Sequence, residues 1–202
     1  MRKIALFDFC DTIVNFQTAD NYVIYYAEMR YGENLRNKNY DKFQLLNCLK
    51  GEKKSDIEFF AERYYLEMIK PGLQTVVIDF IKKYQDTGYE IYIVSAGYSV
   101  YIDFFAKEFK VNGIIANDFL YQDEIFLGTI SNRDCISEEK VQRLNEFFDK
   151  CEIEDSVSFS DSISDLPFLK WSNRGIVISK FRSREWIKKN GLEEIVLSNY
   201  GI

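Results

Sequence analysis

The sequence predicts an α/β fold, a doubly wound parallel sheet with a small helical segment inserted after the first strand. Three observations carry this expectation. An apolar run near the start, Lys3-Ile4-Ala5-Leu6-Phe7, stops abruptly at Asp8 and reads as a buried strand. The next stretch, roughly residues 15–71, holds helical patterns but no strong strand. Beyond Pro71, strand and helix patterns alternate, which implies parallel pairing with right-handed crossovers.

The elements follow in order. The first strand covers about Lys3 to Asp8. Thr18 is the expected cap of a helix running to Tyr31, with Gly32 as its stop. A polar stretch from Asn34 to Tyr40 precedes a short apolar helix around Phe43 to Leu49. Ser55-Asp56-Ile57-Glu58 has the pattern of a capping box, ahead of a helix that reaches Lys70 before Pro71. Its apolar positions Ile57, Phe60, Tyr64 and Met68 recur at helical spacing, so the aromatics of this segment read as core rather than as a ligand cage. Val77, Phe80, Ile81 and Tyr84 mark one face of a helix ended by Gly88. Glu90 to Ser95 is a second strand, Val100 to Phe109 a helix, and Gly113 to Ala116 a short strand. Gln122-Asp123-Glu124 is the expected turn of a hairpin within Phe119 to Ile130. Ser137 opens a helix through Val141, Leu144 and Phe148. Core strands follow at Val157 to Ser160 and Gly175 to Ser179. The domain boundaries expected from this pattern are a core of residues 1–14 and 72–202 and a helical insert of residues 15–71.

Composition narrows the chemistry. With 202 residues, of which 47% are hydrophobic and 16% aromatic, the chain can bury a sizeable core in one domain carrying an insert. A net charge of −6 gives no positive field for nucleic acid or anionic lipid, so neither is expected as a partner. No run of about 18 apolar residues occurs, and the N-terminal apolar run is broken by Asp8 too early for a signal peptide. The four cysteines, Cys10, Cys48, Cys135 and Cys151, form no C-x-x-C pair, and the expectation is a reduced, soluble protein of the cytoplasm. The chain has no histidine, which removes Ser-His-Asp and Cys-His catalysis and any histidine general base. Carboxylates, lysine, hydroxyls, thiols, backbone amides and metals remain.

Four sites stand just past strand ends or at a helix start: Asp8, Ser95, Lys140 and Asp161. In a doubly wound sheet the carboxyl ends of the strands converge on one crevice. There Asp8 and Asp161 suit a hard cation, since Mg²⁺ takes one or two carboxylates together with water and phosphate oxygens. Ser95, the backbone amide of Ala96 and Lys140 suit a phosphoryl group, which Asp8 would attack directly. Taken singly, each residue has a plainer use. A strand-end aspartate caps helices and forms turns, Ser95 can cap the following helix, and a lysine is ordinarily solvated. The order and spacing of all four together favour the chemistry.

With these pieces in place, the chain resembles the haloacid dehalogenase superfamily and its phosphoserine-phosphatase-like branch. The matching motifs are Phe7-Asp8-Phe9-Cys10-Asp11-Thr12-Ile13, Val94-Ser95-Ala96-Gly97, Lys140, and Ser160-Asp161-Ser162-Ile163-Ser164-Asp165-Leu166-Pro167. They run through most of the chain, and the insert matches the small helical cap of that branch. The resemblance implies a Rossmann-like core and Mg²⁺-dependent phosphoryl transfer to or from a small phosphorylated metabolite, through an aspartyl-phosphate. It makes Asp8 the nucleophile, with Ser95, Ala96 and Lys140 on the phosphoryl group. It assigns the metal to Asp8, Asp161 and the main-chain carbonyl of Cys10. Asp165 would order the metal shell or Lys140, and Thr12 would support the first loop beside the phosphate.

One departure matters. The family's phosphatases usually carry an aspartate two residues after the nucleophile as general acid and base, and here that residue is Cys10. Asp11 does not restore the pattern by a slip, because Asp8 to Thr12 keeps the usual separation; Asp11 takes the place of a glycine. Positioned acid–base catalysis is worth roughly 10²–10⁴ in rate. Three readings follow: Cys10 or Asp11 does the work with altered geometry, the leaving group needs little protonation, or turnover is weak and the protein mainly binds a phosphorylated ligand. A redox role for Cys10 is disfavoured, since nearby acids raise a thiol's pKa. Ser160, where glycine often stands, is a second and milder departure.

Overall fold

A computed structural model describes residues 1–181 and 183–200. Six strands form one parallel sheet in the order β3-β2-β1-β6-β7-β8. They are β1 (Arg2–Phe7), β2 (Glu90–Tyr98), β3 (Gly113–Asn117), β6 (Ile153–Ser160), β7 (Arg174–Ser179) and β8 (Glu193–Val196). The chain winds outward from β1 through β2 to β3, then returns to the other flank of β1 and continues from β6 to β8. The order therefore reverses between β1 and β6, where Phe7 pairs with Phe159. That switch point is where a crevice opens at the carboxyl ends of the strands.

The central strand is apolar without alternation because both faces are covered. Ile4 and Leu6 enter one core with Val94, Leu144 and Phe168, whereas Ala5 and Phe7 enter the other with Ile93, Ile81 and Phe159. The two-residue period of a strand thus feeds two separate cores. Phe7 and Phe159 stack across the strand pair at a centroid separation of 4.3 Å. The flanking helices are α4 (Thr75–Asp86), α5 (Ser99–Glu108), α6 (Glu138–Phe147), α7 (Leu166–Trp171) and α8 (Glu185–Lys189).

Between β1 and α4 lie α1 (Thr18–Tyr31), α2 (Lys42–Asn47) and α3 (Lys54–Tyr64). Their aromatics are core, as the spacing predicts: Tyr22, Tyr26 and Tyr64 are fully buried. Tyr22 and Tyr64 pack at 5.3 Å from each other, and Tyr101 of α5 completes the cluster at 5.3 and 5.4 Å. The hairpin of β4 (Phe119–Gln122) and β5 (Ile125–Ile130) joins this segment. Gly51 donates to the Phe126 carbonyl, Phe126 to that of Glu52, and Lys54 to that of Glu124. Asp123 and Glu124 both have positive φ, as the right-handed twist of a tight hairpin requires.

Several local expectations are corrected. The helix expected to start at Ser55 begins at Lys54, and no side chain caps it. The hairpin carbonyl of Glu124 holds its first amide, that of Lys54, and Ser55 already lies inside the first turn, so the Ser55-Glu58 pattern is not used as a capping box. A true capping box occurs at Asp41 and Gln44, at the start of α2. After α3 the coil widens into a π turn at Tyr65–Ile69 and tightens into a 3-10 turn at Lys70–Gly72, so helical turns run on through Pro71. Pro71 is tolerated because the first positions of a turn need no amide donor. Thr18 is the first residue of α1 rather than its cap, and Ser137 makes no capping bond to α6. The sixth strand, β8, has no counterpart among the predicted elements.

Candidate active site

The crevice above the switch point is a cleft of about 310 Å³. Of the predicted residues, Asp8, Cys10, Ser95, Ala96, Lys140, Asp161 and Asp165 all line it. Each arrives at the end of an element. Asp8 follows β1, and its amide donates to the Phe159 carbonyl at 2.9 Å, carrying the strand pairing one residue further. Ser95 lies in β2 where the register with β3 breaks, and its hydroxyl accepts the Gly97 amide at 3.0 Å. Asp161 follows β6, and Asp165 closes the short turn Ile163–Asp165.

Lys140 holds the floor together. From the first turn of α6 its ammonium reaches Asp8 Oδ1 at 2.8 Å and Asp165 Oδ2 at 2.6 Å. All three side chains are nearly fully buried, with 3%, 9% and 7% exposure. Ser160 donates a further hydrogen bond to Asp165, and Thr12, fully buried behind the cleft, donates to Asp8 Oδ2 at 3.2 Å. The serine at position 160 is therefore an active hydrogen-bonding group. Burial alone would push the Lys140 pKa down, but the two carboxylates outweigh it and hold the ammonium charged. Burial raises Asp8 to about 6 despite Lys140.

Asp161 has no such cation beside it. Burial, then Asp8, Asp11 and Asp165, push its pKa up to about 7, with only Arg184 opposing. The cleft thus gathers three carboxylates, with Lys140 bridging Asp8 and Asp165 and leaving Asp161 without a cation in contact. Among the described residues no three His, Cys, Asp or Glu side chains form a metal-binding group. A Mg²⁺ ion does not require three: two carboxylates with carbonyl, water and phosphate oxygens complete its shell. Asp8, Asp161 and a neighbouring carbonyl fit that donor set.

Cys10 and Asp11 separate. The Cys10 thiol is 8% exposed and lies 2.9 Å from Thr18 Oγ1, which in turn contacts the Tyr101 hydroxyl at 2.8 Å. Burial and Asp8 push the thiol pKa up to about 11. Asp11 adopts a left-handed backbone with φ of 54°, a conformation aspartate tolerates better than most residues. Its carboxylate is held by Gln17 at 2.6 Å and by Lys180, facing a neighbouring cavity with Ser179 and Phe181. The predicted set is therefore corrected at this position: Asp11 does not line the cleft that contains Asp8.

Some residues at the site carry no signal in the sequence. Lys42 of α2 reaches the Ala96 carbonyl at 2.9 Å and Asp134 at 2.6 Å. Gln17 and Asp20 also line the cleft. Gln74 donates to the Thr12 carbonyl at 2.6 Å, bracing the first loop from below. Asn117, fully buried at the end of β3, binds both the Ala96 carbonyl and Asp134. Its place at a strand end was the one clue available beforehand; the other residues come from polar stretches that only the fold brings inward.

Among solved structures, a protein of unknown function from Bordetella pertussis Tohama I superposes with a TM-score of 0.84 at 23% identity, covering 98% of this chain and 99% of that one. Phosphoserine phosphatase in its apo form gives a TM-score of 0.70 at 19% identity, covering 98% and 94%. A haloacid dehalogenase family hydrolase from Salmonella enterica serovar Typhi gives 0.67 at 16% identity, covering 96% of this chain and 66% of that one. At these identities the likeness is one of fold. No curated protein matches the sequence significantly. The model of the haloacid dehalogenase-like hydrolases matches residues 5–170. With most of the sequence inside that match, the chain belongs to the haloacid dehalogenase-like hydrolase family.

Proposed function

We propose that the chain is a Mg²⁺-dependent phosphatase or phosphotransferase of the cytoplasm that acts on a small phosphorylated metabolite, rather than on nucleic acid or at a membrane. The observation that carries this reading is the buried Lys140 ammonium shared by Asp8 and Asp165, in one cleft with Ser95 and Asp161. In this reading residues 1–14 and 72–202 form the core, and residues 15–71 form a cap over the cleft.

The chain's own groups support the following sequence. The Asp8 carboxylate attacks phosphorus, and the bond to the leaving oxygen breaks, leaving an aspartyl-phosphate. Ser95, the Ala96 amide and Lys140 hold the phosphoryl oxygens as charge spreads over them. Asp165 and Ser160 keep Lys140 in place. Water then attacks phosphorus, releasing inorganic phosphate and restoring Asp8. Asp8, Asp161 and the Cys10 carbonyl would hold Mg²⁺, whose charge would neutralise the substrate's phosphoryl group.

The test is a panel of phosphoesters and phosphoanhydrides assayed with Mg²⁺, comparing wild type with Asp8→Asn. Turnover that disappears in Asp8→Asn is expected; turnover that survives it, or none at all, overturns the reading. A second reading, a phosphate-binding or regulatory protein of weakened activity, is favoured by the Cys10 thiol, which is buried and held protonated. Tight ligand binding without hydrolysis, with hydrolysis appearing in Cys10→Asp, would select it.

A further inference from the structure

The cleft lacks the usual acid and base on its first loop, yet it is not short of carboxylates. Five line it: Asp8, Asp20, Asp134, Asp161 and Asp165. Four are committed. Asp8 and Asp165 share Lys140, Asp134 is bonded to Lys42 and Asn117, and Asp161 sits among Asp8, Asp11 and Asp165. Asp20 differs. No hydrogen bond shifts its carboxyl, and the charges that face it are Lys42 and Asp41, both of α2 and its cap, with the Tyr98 hydroxyl also nearby.

Its position follows from how α1 is docked. The first turn of α1 comprises Thr18, Ala19 and Asp20. Thr18 Oγ1 touches the Cys10 thiol at 2.9 Å. The same hydroxyl would lie only 3.2 Å from a Cβ added at Gly97, two residues after Ser95 near the end of β2. The turn is therefore wedged between the nucleophile's loop and the phosphate loop. From it Asp20 projects into the cleft two residues beyond the one that covers Cys10. Asp20 stays open to solvent at the cleft wall, and partial desolvation there shifts its pKa upward, the direction a proton donor needs.

We infer that Asp20 is the general acid and base of this site, supplied by the helix that covers Cys10 instead of by the loop that carries it. This rests on the phosphoryl-transfer reading above. As Asp8 attacks phosphorus, the breaking bond leaves its electron pair on the leaving oxygen, which takes the proton of the Asp20 carboxyl and departs as an alcohol. The Asp20 carboxylate then accepts a proton from the water that attacks the aspartyl-phosphate. Inorganic phosphate is released, and both groups return to their starting states.

A general acid matters in proportion to the basicity of the leaving group, and this gives the experiment. The probes are an alkyl phosphate, glycerol phosphate, whose alkoxide must be protonated, and an acyl phosphate, acetyl phosphate, whose carboxylate need not be. The readout is kcat/KM, which reports the steps through formation of the phosphoenzyme. Asp20→Asn is expected to lose about a hundred-fold or more on glycerol phosphate relative to its loss on acetyl phosphate. Asp20→Glu, which keeps the acid on a longer arm, is expected to recover part of that selective loss. Equal losses on the two substrates, no loss on glycerol phosphate, or a wild type that hydrolyses acetyl phosphate alone would each overturn the assignment. Loss of Asp8-dependent turnover on both probes would instead bring down the phosphatase reading, and this inference with it.

Discussion

Replacing Lys140 with methionine tests the electrostatic argument at the floor of the cleft. The side chain is 3% exposed and stands between two carboxylates that are 9% and 7% exposed. Methionine keeps the length and apolar stem but removes the charge. Asp8 then retains Thr12 and its backbone contacts, and Asp165 retains Ser160, but neither has a cation. Removing one partner of a buried pair costs about 3–5 kcal/mol, because the remaining charge stays desolvated. For a chain of this size that corresponds to a melting temperature lower by roughly 6–20 °C. In wild type the raised Lys140 pKa contributes stability below the unfolded value of 10.5, so its contribution is complete across pH 5–8. In the variant the buried Asp8 carboxyl loses the cation that opposes its burial and takes up a proton more readily folded than unfolded, so the deficit should shrink as pH falls from 8 to 5. Adding Asp165→Asn to Lys140→Met should recover part of the loss at pH 8, since one buried charge is gone. Urea midpoints of the three proteins at two pH values measure all of this. A Lys140→Met variant within about 1 kcal/mol of wild type, with no pH dependence of its own, would refute the reasoning.

Other expectations follow from the same coordinates. Asp161 has a folded pKa of about 7 against an ordinary 3.8, so it binds protons more tightly in the folded state. In EDTA, stability should therefore fall by up to about 4 kcal/mol as pH rises from 4 to 7, and Mg²⁺ added at pH 8 should restore part of it. Melting temperatures that stay flat across this range in EDTA would contradict the burial of Asp161. Gly175→Ala should lower stability by about 1–3 kcal/mol, because an added Cβ would lie 2.6 Å from the Leu169 carbonyl; an unchanged urea midpoint would count against that contact. A thiol reagent should label Cys48 and Cys151 rapidly and leave Cys10 and Cys135 until the protein unfolds; fast labelling of a third thiol in the native protein would show that Cys10 or Cys135 is reachable.

The alternation of strand and helix was legible because the buried strands are continuous apolar runs. Ile91, Ile93 and Val94 in β2 and Val157 in β6 announce themselves. The edge strand β8 did not, since Glu193-Glu194-Ile195-Val196 pairs on one side only and opens with two charged residues, Glu193 exposed and Glu194 half-buried. The start of α3 differs for a tertiary reason: the hairpin carbonyl of Glu124 holds the Lys54 amide, so the helix begins one residue before Ser55. At the site, Asp8, Ser95 and Asp161 could be read from their places at strand ends. Lys42, Asp134 and Asp20 could not, because no local pattern tells which polar residue of a loop or helix start will turn inward. Asp11 misleads for the opposite reason. Cys10 beside it faces the cleft, but the positive φ of Asp11 turns its carboxylate toward Gln17 and Lys180.

The hairpin that clasps the helical segment also sets an order of events during synthesis. Helices α1 to α3 emerge early, but the backbone bonds that fasten residues 51–54 come from Glu124 and Phe126. Until the chain beyond Phe126 has left the ribosome, Tyr26, Leu46 and Phe60 have only part of their final cover. The helical segment is then finished before the floor of the cleft, because Lys140 and Asp165 are made later still. A nascent chain stalled after the hairpin would carry the aromatic cluster without the charge network, a state in which the two halves of the molecule can be weighed apart.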